Sequence, residues 1–340
     1  MYTARPFHPS AEEYQAVTDV FSADWPDVPA TPSVWQHDDE NWDPQYLFQR
    51  FVVEADQQIV AEGYYFEDSW SHVPGKYCFA YSMHPDHRGE PIQRVIYDFV
   101  VERLAARDPV PNQLWAYSRE DRPIRNAFLL AEGFAVSMRE PRSILDVAAF
   151  THERFADVEE PVRRAGLVLM SLAEYQVLDS EWARKCWELR LEIDRDIPWP
   201  DPIQTKPFDE FLKSLDHPHF AAAGLFLAVD KHGATDPKLW QLVGMSQVGV
   251  DPHQQEKVYQ WMTGVRRAYR RKGVATALKV RVINYVAASG VRFIETDNAE
   301  DNPMYGINLN LGFEPQPALL ALRKQLYNGP ATSRQQAVMS

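Results

Sequence analysis

The sequence is poor in cysteine, in long apolar runs and, over its first half, in positive charge. Of 340 residues only Cys78 and Cys186 are cysteines, too few for a disulfide framework or a four-cysteine metal site. The longest apolar run, Phe220 to Val229, ends at Asp230 after ten residues, about half of what a bilayer crossing needs. The opening MYTARPFHPS has no basic stretch followed by an apolar core, so no secretory leader is expected and a cytoplasmic protein is. No Gly-x-x-x-x-Gly-Lys-Ser/Thr occurs, and no Gly-x-Gly-x-x-Gly follows a strand pattern, which excludes the commonest nucleotide loops. His84, His87 and His253 lack zinc-type spacing, so no metal is expected.

What is present suits a globular chain long enough for two domains: 45% hydrophobic and 24% charged residues, with 10 Trp, 15 Tyr and 17 Phe to bury. Residues 1–160 carry 13 Lys and Arg against 28 Asp and Glu, and residues 161–340 carry 22 against 20. With a net charge of −13 the chain repels nucleic acid and tends to attract cations, which suits a small amine or a basic peptide as partner or serves solubility alone, and neither nucleic acid nor membrane is an expected partner.

The chain repeats itself. Ala11-Glu12-Glu13-Tyr14-Gln15-Ala16-Val17 returns as Ala173-Glu174-Tyr175-Gln176-Val177-Leu178, and Asp24-Trp25-Pro26-Asp27-Val28-Pro29 as Ile197-Pro198-Trp199-Pro200-Asp201-Pro202. Gly133-Phe134 returns as Gly312-Phe313. Three matches in the same order at similar offsets indicate a duplicated domain.

The hydrophobic pattern predicts the same element order in each half. In the second half, strands are expected at 166–172, 221–229, 240–250, 257–265, 291–296 and 318–325, and helices at 173–190, 208–215, 271–288 and 303–311. In the first half, strands are expected at 46–55, 57–66, 77–83, 113–117 and 135–140, and helices at 92–106 and 124–131. The charged stretch 157–164 is expected to link residues 1–156 to residues 165–327, with a frayed tail from Asn328. The fold class is α/β, with a mixed, mostly antiparallel sheet flanked by helices in each half.

The most informative segment runs Thr263-Gly264-Val265-Arg266-Arg267-Ala268-Tyr269-Arg270-Arg271-Lys272-Gly273-Val274-Ala275. A strand ends near Val265, five cations occupy the seven positions 266–272, and a helix opens at Gly273. The free N–H groups of a helix's first turn and its dipole suit a pyrophosphate, and small residues let that group approach the backbone.

This segment resembles the acyl-CoA-binding motif of the GNAT superfamily of N-acetyltransferases, Gln/Arg-x-x-Gly-x-Gly/Ala, written here as Arg270-Arg271-Lys272-Gly273-Val274-Ala275. Downstream, Thr296-Asp297-Asn298, Asn302-Pro303-Met304 and Asn308 through Phe313 resemble the superfamily's later helix, and the duplication resembles its tandem members. The resemblance implies direct acetyl transfer from acetyl-CoA to a primary amine. It places the pyrophosphate on Arg270 to Ala275, the thioester carbonyl on backbone N–H groups around Val265, and the pantetheine arm near Asn302. Asn302 before Pro303 is equally a helix N-cap.

Both halves depart from the pattern. In the first, Met83-His84-Pro85-Asp86-His87-Arg88-Gly89-Glu90-Pro91-Ile92-Gln93 replaces the glycines with Pro91 and Gln93, so this copy is expected to bind CoA poorly and to serve as scaffold. In the second, a family tyrosine that protonates the leaving thiolate is replaced by Asn308, and Tyr305, one turn earlier, is the candidate substitute. Glu256 and Glu295 are the candidate bases, with a water chain as the alternative. Trp199 and Asp201, and Trp25 and Asp27 in the twin loop, are candidate amine-site residues. Two other readings compete: a non-catalytic acyl-CoA sensor and a nucleic-acid binder using the basic loop.

Overall fold

The structure, a computed structural model, describes residues 1–28, 30–250 and 256–326. Pro29, His253 and the tail expected to fray lie outside the described residues. Contacts divide the described residues into two compact units, 1–138 with 319–326, and 139–318.

The first unit contains β1 (Thr3–Pro6), α1 (Ala11–Asp24), α2 (Pro32–Glu40), β2 (Phe48–Ala55), β3 (Gln58–Phe66), β4 (Lys76–Met83), α3 (Glu90–Ala105), β5 (Gln113–Arg119), α4 (Pro123–Ala131) and the start of β6 (Ala135–Asp146). Ser10 caps α1 by accepting from the Glu13 N–H. Ile92, Ile96, Val100 and Leu104, spaced by four, give α3 its buried stripe. The strand order is β1-β2-β3-β4-β5, completed by residues 319–325 of a strand that begins in the second unit.

The second unit contains the end of β6, then α5 (Glu160–Arg164), β7 (Leu167–Ser171), α6 (Leu172–Leu178), α7 (Trp182–Asp194), α8 (Phe208–Ser214), β8 (Leu225–Asp230), β9 (Gln241–Gly249), β10 (Lys257–Val265), α9 (Val274–Ala288), β11 (Phe293–Asp297), α10 (Pro303–Asn310) and β12 (Glu314–Gln325). Its strand order is β6-β11-β10-β9-β8-β7. The pairs β4–β5 and β10–β11 are parallel, and each is joined by a crossover helix, α3 or α9.

Three differences from the sequence-based expectation have physical causes. The compact units do not follow the expected division at 156 and 165. β6 begins in the first unit and pairs with β11 from Arg142 onward, while β12 begins in the second and pairs with β5 from Leu319. The helix expected over 173–190 breaks at Asp179, whose carboxylate accepts from the Glu181 N–H at 2.9 Å and from Tyr175 Oη at 2.8 Å, competing with the helical ladder. The expected linker contains α5, because one buried residue, Val162, anchors a turn that also holds Pro161 and three charged residues.

The end of β10 is set by a close approach. A Cβ on Gly264 would collide with Ile193 in the last turn of α7. Gly264→Ala is therefore expected to destabilise the protein by about 1–3 kcal/mol. In urea melts the cost in an Ile193→Ala background should be clearly smaller; equal costs in both backgrounds would contradict the contact.

Candidate active site

The site begins where two strands part. β10 and β11 pair only at Lys257↔Phe293, Val258↔Ile294 and Tyr259↔Glu295. Beyond that point β10 stays on β9 as far as Val265↔Gly244, and β11 stays on β6 as far as Asp297↔Arg142. A bulge between Gln260 and Met262 bends β10 at the branch. The base of the fork is clamped by Glu295, buried, which pairs with Arg142 of β6 and with Lys257 of β10 at 2.6 Å.

The fork opens on a cavity of about 150 Å³ whose wall includes Glu140, Trp199, Gln260, Lys279, Asp297 and Asn302. Burial, with Asp297 nearby, raises the Glu140 carboxyl to about 7. Burial also raises Asp297, against the opposing hydrogen bond from Tyr259. The Tyr259 hydroxyl is held well above its ordinary value by burial and by Asp297. Lys279, wholly buried, is lowered to about 7 by desolvation alone.

At the open end, Val265 is buried and a short turn, Arg267–Tyr269, leads to α9. Helix α9 starts at Val274 rather than Arg271, because Arg271 and Gly273 take left-handed backbone conformations, φ 59° and 77°. Gly273 is the N-cap and no side chain caps the helix, so its first-turn N–H groups, with Val274 and Ala275, remain open to an anion. The five loop cations do not act alike. Arg267 and Arg270 pair with Asp196, and Arg266 pairs with Glu192 at 3.0 Å. Arg270 Nε also donates to the Val265 carbonyl at 3.0 Å, bracing the strand end. Arg271 and Lys272 are exposed, and Lys272 Nζ lies 4.9 Å from the Tyr269 ring centroid.

The candidate residues downstream are only partly brought together. Asn302 lines the cavity and is the N-cap of α10, its Oδ1 accepting from the Met304 N–H at 3.0 Å. Tyr305 is half-buried in the first turn of α10. Asn308 is fully buried and donates to Asn298 Oδ1 at 2.7 Å. Glu295 has both carboxylate oxygens engaged by cations and is a structural clamp. Glu256 is exposed just before β10, whose nine residues put it roughly 30 Å from Val265. Trp199 lines the cavity, whereas Asp201 is not part of its wall.

Glu140, Asp297 and Lys279 were not singled out from the sequence. Lys279 had a signal: helical spacing puts it on the α9 face shared by Ala275, Val282 and Val286. Glu140 had none and Asp297 only its place in the stretch Thr296-Asp297-Asn298, because the pairing of β6 with β11 is what brings their strands together.

The first unit has the same fork, and it is filled. β4 and β5 pair from Lys76↔Gln113 to Phe79↔Ala116, after which β4 runs on to Met83. Met83, like Val265, ends its strand ahead of a short turn and a helix. Here its N–H donates to Asp24 Oδ2 at 3.2 Å, and that buried carboxylate is also held by Arg88 at 2.7 Å and Arg125 at 2.8 Å. Trp25 Nε1 donates to Ser82 Oγ at 3.2 Å, and the guanidinium carbons of Arg119, Arg122 and Arg125 lie 4.9, 4.3 and 5.0 Å from a Trp25 ring centroid. Asp27 pairs with Arg119. The Trp25 and Asp27 offered as amine-site residues are thus occupied by the protein's own arginines. Pro91 removes an N–H from the first turn of α3, and Gln93 is buried, accepting from Tyr81 Oη at 2.8 Å.

Residues 181–306 match the family described as Acetyltransferase (GNAT) family. Among solved structures, the chain is similar over 97% of its length to the whole of a tandem GNAT protein from the clavulanic acid biosynthesis pathway, at 20% identity and a TM-score of 0.71. It is similar over 96% of each chain to a GCN5-related N-acetyltransferase from Sphaerobacter thermophilus, at 16% identity and a TM-score of 0.68. An acetyltransferase of the GNAT family from Colwellia psychrerythraea is covered whole by 95% of this chain, at 9% identity and a TM-score of 0.58. No curated protein matches the chain. The family match is thus confined to a segment within the second unit and covers less than half of the chain. The chain as a whole has the tandem GNAT fold. Among the described residues no helix is long and apolar enough to cross a membrane.

Asp24→Ala would leave Arg88 and Arg125 without the carboxylate that neutralises them in the filled fork. A loss of about 3–5 kcal/mol is expected in urea denaturation of the full chain. A loss below about 1 kcal/mol, the range of an exposed pair, would show that the plug is not a structural element.

Proposed function

We propose that the second unit binds acetyl-CoA and transfers its acetyl group directly to a primary amine. The observation that carries this reading is the open fork between β10 and β11, which leads at its mouth to the uncapped first turn of α9. In this reading the backbone N–H groups of Val274, Ala275 and the following residue hold the pyrophosphate, with Arg271 and Lys272 adding charge and Arg270 bracing the loop. Gly273 supplies the left-handed turn that aims those groups, a conformation that costs other residues about 1–2 kcal/mol. Backbone donors at the Val265 end of the fork polarise the thioester carbonyl and hold the oxyanion as charge develops. Asn302 has its Oδ1 committed to the cap, which leaves its Nδ2 to donate to the pantetheine arm. Tyr305 is the candidate donor of a proton to the departing thiolate.

No proton transfer is assigned to Glu256, which lies at the wrong end of β10, or to Glu295, which is spent on two cations. The acidic side of the cavity, Glu140 and Asp297, together with Trp199, suits a small cationic amine. The first unit binds no CoA in this reading, because Asp24 already occupies the strand-end N–H of its fork. A competing reading, an acyl-CoA sensor without turnover, draws on Asn308, a buried amide where a family acid is expected.

Calorimetric titration of acetyl-CoA into the full chain tests the proposal. One site per chain is expected, abolished by Gly273→Pro and unchanged by Gly89→Pro. Two sites would contradict the filled fork, and no binding would contradict the acetyl-transfer reading. Binding without acetylation of any amine in a broad panel would favour the sensor.

A further inference from the structure

Lys279 occupies a position that ordinary packing does not explain. It lies on the buried face of α9, 2% exposed, and lines the cavity. A lysine on such a face usually reaches past its neighbours to water or meets a carboxylate. Here Nζ donates to Gln260 Oε1 at 2.7 Å, and no carboxylate lies within ion-pairing distance among the described residues. Its other neighbour of note is the Phe313 ring, whose centroid is 5.9 Å away.

Gln260 is itself fixed, which gives the contact a direction. Its Nε2 donates to Ser246 Oγ at 2.8 Å and to Thr263 Oγ1 at 3.1 Å, so Oε1 is the end turned to Lys279. Gln260 is also the first residue of β10 beyond the last β10–β11 pair, so this contact places the lysine nitrogen at the branch of the fork. An ammonium buried without a counter-charge costs several kcal/mol, and the group avoids that cost by releasing its proton. The fall from 10.5 to about 7 has burial as its single cause. Once neutral, the amine donates to Gln260 and keeps a lone pair for the cavity.

Resting on the acetyl-transfer reading above, we propose that Lys279 is the catalytic proton acceptor for the attacking amine. The acceptor nitrogen's lone pair forms the C–N bond at the thioester carbonyl, and its N–H proton passes to Lys279 Nζ. The C–S bond then breaks, its electron pair leaving on sulfur, which takes a proton from Tyr305 or solvent. Lys279 returns its proton through solvent, so the net products are an amide and the free thiol.

Two other titratable groups line the cavity, Glu140 from β6 and Asp297 from β11; Tyr259 lies against Asp297, and Glu295 with Arg142 and Lys257 sits at the base of the fork. Glu140 also titrates about 7, so a pH profile alone would not identify Lys279. The sign separates the two in stability. A lysine lowered by folding contributes stability that is present above its ordinary value and lost as pH falls through about 7, whereas a carboxyl raised by folding contributes stability below its ordinary value that is lost as pH rises through about 7.

The test uses the full chain with lysines labelled at ¹³Cε. The resonance missing from Lys279→Met is titrated from pH 5 to 10, and a midpoint about 7 is expected. In parallel, acetyl-CoA affinity is measured by calorimetry, and transfer to a panel of aliphatic primary amines is followed by thiol release. Lys279→Met should lower kcat by about 100-fold and abolish the rate limb near neutral pH, with the acetyl-CoA Kd unchanged. Glu140→Gln should keep that limb. A Lys279 midpoint above 9, or a Lys279→Met variant that keeps both limb and kcat, would overturn the proposal while leaving acetyl transfer standing. Failure of the unmodified protein to bind acetyl-CoA would overturn the underlying reading instead.

Discussion

The second unit depends on one constraint: two parallel strands that pair for three residues and then part. A sheet normally satisfies its backbone groups strand against strand, so a strand that leaves its neighbour exposes donors and acceptors along one edge. The cost is contained because the branch is clamped from both sides. Glu295 ties β11 to Arg142 on β6 and to Lys257 on β10, and all three side chains are largely shielded from water. The bulge at Gln260 and Met262 lets β10 turn away while its ladder to β9 continues. The fork thereby becomes a rigid feature on which a site can be built.

The same constraint explains the structural difference between the two copies. Both have a parallel pair that ends early, and both follow it with a short turn and a helix. In the first unit a carboxylate from the end of α1 satisfies the strand-end N–H, and a ring of arginines closes over the adjacent tryptophan. In the second, the acid that binds the equivalent arginine, Asp196, stays on the loop with Arg267 and Arg270, and the strand end stays open. One fork is filled by the chain's own charges. The other keeps a cavity bordered by acid and by a buried lysine.

Much of this was legible in the sequence. The duplication, the strand Lys257–Val265 and the basic loop into α9 follow from periodicity and from the spacing around Gly273. The broken helix at Asp179 was not, because its periodic apolar residues continue across the break while a side chain takes over the backbone's hydrogen bonds. The strand ends shared between the units were invisible because a repeat in sequence says nothing of which copy a strand pairs with. The catalytic candidates fared worst, since a carboxylate on a strand has the same spacing whether it is free or clamped. Glu295 was chosen for its position and proves to be the clamp. Glu140 and Asp297 depend on β6 reaching β11, a pairing between segments some 150 residues apart. Lys279 alone carried a local signal, an isolated charge on an otherwise apolar helical face.

The central claim is that a single fork, in the second unit, receives acetyl-CoA. Amide hydrogen exchange of the full chain with and without CoA addresses it most directly, because the claim concerns which backbone N–H groups acquire a partner. Protection confined to residues 263–279 and the start of α10, with residues 83–96 unchanged, is the result the account predicts. Protection at residues 83–96, or none at residues 273–276, would contradict it.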